Sequence, residues 1–155
     1  MSTRSVIAME NETTGAIECI YCHNDGDPDY NGAILLESYN TPEKLRKLLA
    51  LGNLSALGKH VAPVKKLAPC IYPWITQKAV PHSFQTPHED VTIAYHRDRG
   101  EEMILPKIWQ NRRELFKQMA PEYTAVYAYL FSGGQWWFTT HKEENWQSLA
   151  DFLKK

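Results

Sequence analysis

A dense charged run near residue 100 is the first candidate for chemistry in this sequence. Residues 96–102 read His-Arg-Asp-Arg-Gly-Glu-Glu and follow a segment with the pattern of a strand. Paired arginines suit phosphate or carboxylate ligands, because each guanidinium can donate two parallel hydrogen bonds. Arg97 and Arg99 could hold such an anion, and Asp98 could orient one guanidinium. The alternative is an exposed turn at a strand end, whose local ion pairs contribute little stability.

A second polar group lies near the N-terminus. Arg4 begins a predicted strand, and His23 and Asp25 follow its predicted hairpin partner. In an antiparallel hairpin the start of one strand lies beside the end of the other, so Arg4 and His23 should be neighbours. If the charged run reaches the same sheet edge, arginines would hold an anion there while His23 or an acid moves protons. The hypothetical ligand-binding residues are Arg4, His23, Asp25, Arg97, Asp98 and Arg99.

The cysteine motif at residues 19–23 (Cys-Ile-Tyr-Cys-His) matches the CxxCH pattern of haem attachment, and its cysteine spacing also occurs in zinc sites. Residues three apart on a strand point to opposite faces, which works against Cys19 and Cys22 holding one metal ion. The remaining interpretation is two ordinary half-buried cysteines in a sheet. We therefore assign no catalytic residue, no metal and no cofactor.

The segment from Asp27 to Gly32 matches the first half of a calcium-binding loop. Such a loop needs a bidentate glutamate at its twelfth position, where this chain has Ser38. The alternative is a solvated turn, whose Asp and Asn side chains bond nearby backbone groups and cap the following helix.

Composition and charge set the class of protein. The chain has 155 residues, 43% hydrophobic and 23% charged, which predicts one globular domain spanning residues 1–155. A formal net charge of -1 and the lack of a long apolar run predict neither general attraction to nucleic acid nor a membrane segment. Three cysteines and an N-terminus without a signal-peptide pattern favour a cytosolic setting.

The charges are concentrated in blocks along the chain. Residues 44–88 carry seven basic residues and no acidic one, whereas residues 1–43 carry eight acids and one base. Such blocks usually neutralise each other on a folded surface, but a basic stretch can also bind an acidic partner. Nucleic acid is therefore a candidate partner through residues 44–88.

A long segment at about 59–90 shows no convincing periodicity. It holds five of the nine prolines, with aromatic residues among them. Stretches of this length without regular structure are often functional. We predict an ordered loop across the sheet surface, with a binding lid or flexible segment as the alternative, and assign partner binding to Tyr72, Trp74 and Phe84.

The other segments predict an α+β fold. Hairpins are expected over residues 4–22 and 123–140, with a single strand at Val91–His96. Helices are predicted at Ala33–Tyr39, from the N-cap Thr41, at Pro106–Met119 and from Thr140. Strands and helices do not alternate as parallel units require, so we expect a mainly antiparallel sheet of about five strands, with three to four helices on one face.

The helix predicted over residues 106–119 has a clear apolar pattern. Ile108, Leu115, Phe116 and Met119 fall along one face at helical spacing. This pattern predicts that Ile108 packs on the core together with the others.

Several motifs carry a resemblance that covers most of the chain. They include residues 2–8 (STRSVIA), 20–28 (IYCHNDGDP), 82–84 (HSF) and 91–101 (VTIAYHRDRGE). Together they resemble a family of small proteins encoded by bacteriophages and other mobile elements. The resemblance implies a phage accessory protein in the infected host's cytoplasm, where it binds and modulates a host macromolecule such as a defence factor.

Two functions stay open at this point. The first is partner binding, with a host protein as the expected partner and no membrane involved. The alternative is a small-ligand-binding protein or an enzyme acting on a phosphorylated or nucleotide-like compound, through the hypothetical ligand-binding residues. The sequence favours a non-enzymatic function and leaves the oligomeric state open.

Overall fold

A single mixed β-sheet organises the protein. The computed structural model describes residues 3–61, 70–71, 79–80 and 91–154. Its strands are β1 (Ser5–Glu10), β2 (Ile17–Cys22), β3 (Leu54–Ala56), β4 (Cys70–Ile71), β5 (Ala79–Val80), β6 (Ile93–Ala94), β7 (Lys107–Trp109), β8 (Tyr127–Ser132), β9 (Gln135–Thr140) and β10 (Gln147–Ser148). Eight of them form one sheet in the order β10–β9–β8–β1–β2–β3–β6, with β7 also paired to β2, while β4 and β5 form a separate pair.

The sheet differs from the predicted one in size and in strand direction. β1 pairs with β2, and β8 with β9, as antiparallel hairpins, but β1 and β8 are parallel, and so are β2 and β3. The prediction of a mainly antiparallel sheet of about five strands with three to four helices is therefore wrong. Hairpin patterns predict pairing within each hairpin, but they do not show how two hairpins join, which here is through β1 and β8.

Five α-helices and one π-helical turn lie in the described part of the chain. They are the π-helical turn Pro28–Gly32, α1 (Ala33–Ser38), α2 (Pro42–Leu49), α3 (Tyr95–Arg99), α4 (Arg112–Tyr123) and α5 (Leu149–Leu153). Thr41 caps α2 as the sequence predicts, because its side chain accepts a hydrogen bond from the Lys44 backbone N–H. None of these helices is long and apolar enough to cross a membrane.

The helix predicted over Pro106–Met119 is instead a strand followed by a helix. β7 occupies the first part, and α4 begins only after Asn111, whose side chain accepts a hydrogen bond from the Glu114 N–H at 3.0 Å. Ile108 consequently lies on β7 and is 63% exposed, so the prediction that it packs on the core is wrong.

Two other predicted boundaries are wrong as well. The strand predicted over Val91–His96 gives way to α3 at Tyr95, so the charged run lies in a short helix. The last helix starts after Ser148, which accepts a hydrogen bond from the Asp151 N–H, and not after Thr140.

Hydrophobic cores cover both faces of the sheet. On one face Ile7 and Ile20 pack with leucines of α1, α2 and α5, and on the other Val6 and Ala8 pack with α4. Helices therefore lie on both faces of the sheet, and the prediction that they lie on one face is wrong. The central strand β1 is buried on both sides as a result, which explains its nearly continuous apolar sequence.

Candidate functional site

Arg4 and His23, two of the hypothetical ligand-binding residues, lie at one end of the β1–β2 hairpin. Ser5 pairs with Cys22, so Arg4 and His23 flank the same end of these two strands. Tyr21 Oη lies 2.7 Å from His23 Nδ1, and Arg4 Nη1 donates to Thr124 Oγ1 at 3.1 Å. Burial raises the pKa of Tyr21, and the Arg4 guanidinium beside it opposes part of that rise.

A cleft of about 470 Å³ opens beside this end of the hairpin, and we call it the β7 cleft. Its lining residues are Arg4, Cys19, Tyr21, Asn53, Ile104, Leu105, Lys107, Glu122, Tyr123 and Thr124. Cys19 Sγ lies 3.1 Å from Tyr123 Oη, which also accepts a hydrogen bond from Trp109 Nε1. Burial raises the pKa of both Cys19 and Tyr123, so the thiol stays protonated and is a poor nucleophile near neutral pH.

Apolar and exposed residues lie along β7 and the segment before it. Ile104 and Leu105 line the β7 cleft, whereas Ile108 lines a neighbouring cleft on the other face of β7. They are 52%, 71% and 63% exposed, and we call these three residues the apolar rim. The segment packs tightly against Gly52, where an added Cβ would lie 2.6 Å from the Ile104 carbonyl oxygen. Gly52 also has a φ of +78°, which disfavours any other residue. This close approach holds the apolar rim beside the end of α2.

Arg97 and Asp98 are engaged within the protein. Arg97 Nε and Nη2 donate to the Asp98 carboxylate at 2.8 and 2.9 Å, while Nη2 and Nη1 also donate to the carbonyls of Thr92 and Val61. Asp98, with a side chain only 2% exposed, accepts a further hydrogen bond from the Ala94 N–H at 2.7 Å. All three guanidinium nitrogens thus hold α3 and the neighbouring chain in place.

Arg99 and Asp25 are the two remaining candidates. The Arg99 guanidinium lies 5.1 Å from the centre of the Tyr95 ring, a cation–π distance, and its Nε is 3.4 Å from Glu101 Oε2. Asp25 is exposed and adopts a left-handed φ of +59°. Leu54 of β3 pairs with Cys22 of β2 and with Ala94 of β6, so the hairpin end with Arg4 and the start of α3 lie at the same end of the sheet, with β3 between them.

The cysteine motif is part of the core. Cys19 and Cys22 lie on opposite faces of β2 and belong to different core clusters, as their spacing predicts. Cys22 is fully buried, and burial raises its pKa to about 12. No group of three or more metal-ligating side chains forms within residues 3–61 and 91–154.

Asn31, from the segment that resembles half of a calcium loop, is buried rather than solvated. Its amide Nδ2 donates to the Asn24 carbonyl at 2.9 Å and to Cys22 Sγ at 3.4 Å. Asn31 therefore ties the π-helical turn to the end of β2. The predicted bond from its side chain to a nearby backbone group is confirmed, whereas the prediction that the turn is solvated is wrong for this residue.

The aromatic residues to which partner binding is assigned, Tyr72, Trp74 and Phe84, lie outside the described residues. Of the basic block, Lys44, Arg46, Lys47 and Lys59 are described and exposed. Arg46 lines a cleft of about 760 Å³ together with three glutamates, Glu10, Glu12 and Glu18. At this basic residue the described surface therefore mixes both signs of charge.

The apolar rim is the feature that sequence reasoning missed. Its residues lie between the charged run and Asn111, the N-cap of α4. Ile108 has helical spacing with residues of α4, but it lies before that helix begins, so the spacing does not place it on a helix face. A signal was present in Pro106 and Asn111, which together favour an extended segment followed by a helix start.

Comparisons with models of protein families, with curated proteins and with solved structures find no match for this chain. The function is therefore inferred from the geometry of the chain.

Proposed function

We propose that this chain is a binding protein that docks onto a protein partner through the apolar rim along β7. The observation that carries this proposal is the high exposure of Ile104, Leu105 and Ile108 within five consecutive residues. Single exposed apolar residues are common, but a group of large ones beside a cleft marks an interaction surface.

The position of β7 supports an extended partner segment. β7 pairs with β2 on one side, and no described strand pairs with its other edge. Such an edge presents free backbone N–H and C=O groups, onto which an extended peptide can add as a further strand. Apolar side chains of that peptide would cover Leu105 and Ile108 while its backbone pairs with β7.

The resemblance to phage-encoded proteins gives this proposal its biological setting. In that setting the partner is a host protein that contains an extended apolar segment. The phage protein modulates this partner in the host cytoplasm. The alternative function, binding a phosphorylated or nucleotide-like compound, has less support, because Arg97 and Asp98 already use their hydrogen-bonding groups within the fold.

The test is a pull-down from host lysate with the tagged protein and two matched variants. Leu105→Ser combined with Ile108→Ser removes two thirds of the apolar rim, and Lys117→Ser removes a long exposed side chain of α4 that does not line the β7 cleft. We expect one host protein that survives a high-salt wash, is retained by Lys117→Ser, and binds the double variant at least about tenfold more weakly.

Two results would overturn the proposal. One is a partner that binds the double variant as tightly as it binds the wild type. The other is recovery of nucleic acid alone, lost as salt is raised, which would favour the basic block at residues 44–88. Thermal melting of all three proteins shows whether a loss of binding reflects a loss of folding.

A further inference from the structure

A third cleft, of about 370 Å³, lies between the π-helical turn, strands β8 to β10 and α5. We call it the aromatic cleft. Its lining residues are Asp27, Pro28, Asp29, Tyr30, Tyr127, Phe138, Thr140, Gln147 and Phe152. This volume is at the lower end of the range for small-ligand sites, roughly 300–1,000 Å³, and is large enough for one amino-acid side chain. The β7 cleft shares none of these residues.

The walls of the aromatic cleft are a set of connected rings. The Tyr127 and Phe138 ring centres are 6.4 Å apart, and Phe152 meets Phe138 edge to face at 5.0 Å. Tyr30 is 60% exposed and Phe152 37% exposed, so these two rings are open to a ligand. The face of an aromatic ring carries partial negative charge and attracts cations.

The charge of the lining favours a cation as well. Among the described residues that line it, Asp27 and Asp29 are the charged side chains and none is basic. Burial raises the pKa of the Tyr127 hydroxyl, and the nearby charges of Asp27 and Asp29 raise it further. Within the described residues neither carboxylate takes part in a side-chain hydrogen bond or an ion pair, unlike Asp98.

The polar groups of the lining distinguish between kinds of cation. Asp27, Asp29, Thr140 and Gln147 all offer oxygen acceptors beside the aromatic walls. A quaternary ammonium has no N–H to donate to them, whereas a planar guanidinium can stack on a ring and donate to carboxylates in its own plane. We propose that the aromatic cleft binds a guanidinium group, either of free arginine or of an arginine side chain in a peptide.

The experiment is a calorimetric or NMR titration of the full chain with N-acetyl-arginine amide at low salt. N-acetyl-citrulline amide, which has nearly the same shape without the charge, is the ligand control. We expect saturable binding of the arginine compound with chemical shift changes at Tyr30 and Phe152, and binding of the citrulline compound at least tenfold weaker.

Variants assign the binding to this cleft. Asp27→Asn combined with Asp29→Asn should weaken binding of the arginine compound at least tenfold, because both charges are lost and the shape is kept. Asp25→Asn is the matched control, since Asp25 is an exposed aspartate of the same loop that does not line the cleft. The Leu105→Ser and Ile108→Ser variant should bind like the wild type, so this proposal stands or falls separately from the proposed function.

Three results would overturn the proposal. They are no saturable binding of the arginine compound, equal weakening by Asp25→Asn, and binding of tetramethylammonium or N-acetyl-lysine amide as tight as that of the arginine compound. A short arginine-containing peptide separates the two sources of the ligand. Tighter binding of the peptide than of the single amino-acid amide identifies a peptide ligand, and equal binding identifies free arginine.

Discussion

The Arg97–Asp98 pair and the Asp27–Asp29 pair show two opposite uses of charge in the same molecule. Asp98 is buried, accepts hydrogen bonds from Arg97 and from the Ala94 N–H, and holds α3 in place. Asp27 and Asp29 lie in an aromatic cleft without side-chain partners among the described residues. The difference teaches that a charged motif indicates a ligand site only where its hydrogen-bonding groups are left free by the fold.

The largest effect on stability should come from breaking the Arg97–Asp98 pair. Asp98→Ala removes the carboxylate that accepts from the Ala94 N–H and neutralises Arg97, which then keeps only the carbonyls of Thr92 and Val61 as acceptors. We expect a loss of about 3 kcal/mol in the free energy of unfolding, measured by urea denaturation. Asp25→Asn, at an exposed position whose left-handed φ asparagine tolerates, is the control. A loss at Asp98 no larger than the loss at Asp25 would show that the pair does not stabilise the fold.

Breaking the partly exposed Arg112–Glu10 pair should have an intermediate effect on the free energy of unfolding. Arg112 donates two hydrogen bonds to the Glu10 carboxylate, and with Ser132 it lowers the pKa of Glu10 against the opposing effect of burial. Because the folded pKa lies below the unfolded one, this contribution is present above the ordinary glutamate pKa and is lost as pH falls through the folded value.

The measurement for this pair is the difference in unfolding free energy between the wild type and Glu10→Gln as a function of pH. We expect a wild-type advantage of less than about 1 kcal/mol at pH 7, since the pair is partly solvated. The advantage should shrink in acid below the glutamate pKa. A difference that stays constant with pH would mean that the ionised state of Glu10 is not what stabilises the protein.

The smallest effect on stability should come from changing Asp27 and Asp29. Asp27→Asn combined with Asp29→Asn should change the free energy of unfolding by less than about 0.5 kcal/mol, because no described side-chain contact is lost. Urea denaturation beside Asp98→Ala makes the comparison direct. A loss as large as that of Asp98→Ala would mean that Asp27 and Asp29 are structural, and the contrast between the two pairs would disappear.

Features set by near neighbours in the chain could be predicted from the sequence. Thr41 caps α2, and Cys19 and Cys22 lie on opposite faces of β2, because a cap and a strand alternation depend on residues only a few positions apart. The β8–β9 hairpin turns at Gly133 and Gly134, whose positive φ angles only glycine adopts easily. The hairpin end that brings Arg4 near His23 follows from the same local logic.

Features that depend on distant parts of the chain could not be predicted. The parallel pairing of Ser5 with Tyr127 joins residues more than a hundred positions apart, and no local pattern encodes it. Ile108 has helical spacing with Leu115 and Met119, yet pairing with Glu18 on β2 places it in a strand. Whether Arg97 was free for a ligand also depended on Val61 and Thr92, which only the folded chain brings to it.

The sequence by itself determined the capped helix α2, the two hairpins and the alternation that places the two cysteines on opposite faces of β2, because these need only neighbouring residues. Only the tertiary structure decided how the hairpins join, that both cysteines are fully rather than half buried, that Asp98 is engaged whereas Asp27 and Asp29 have no side-chain partner among the described residues, and that the apolar rim is exposed. The physical reason is that burial and hydrogen-bond satisfaction belong to the packed whole, where segments far apart in sequence compete for the same groups.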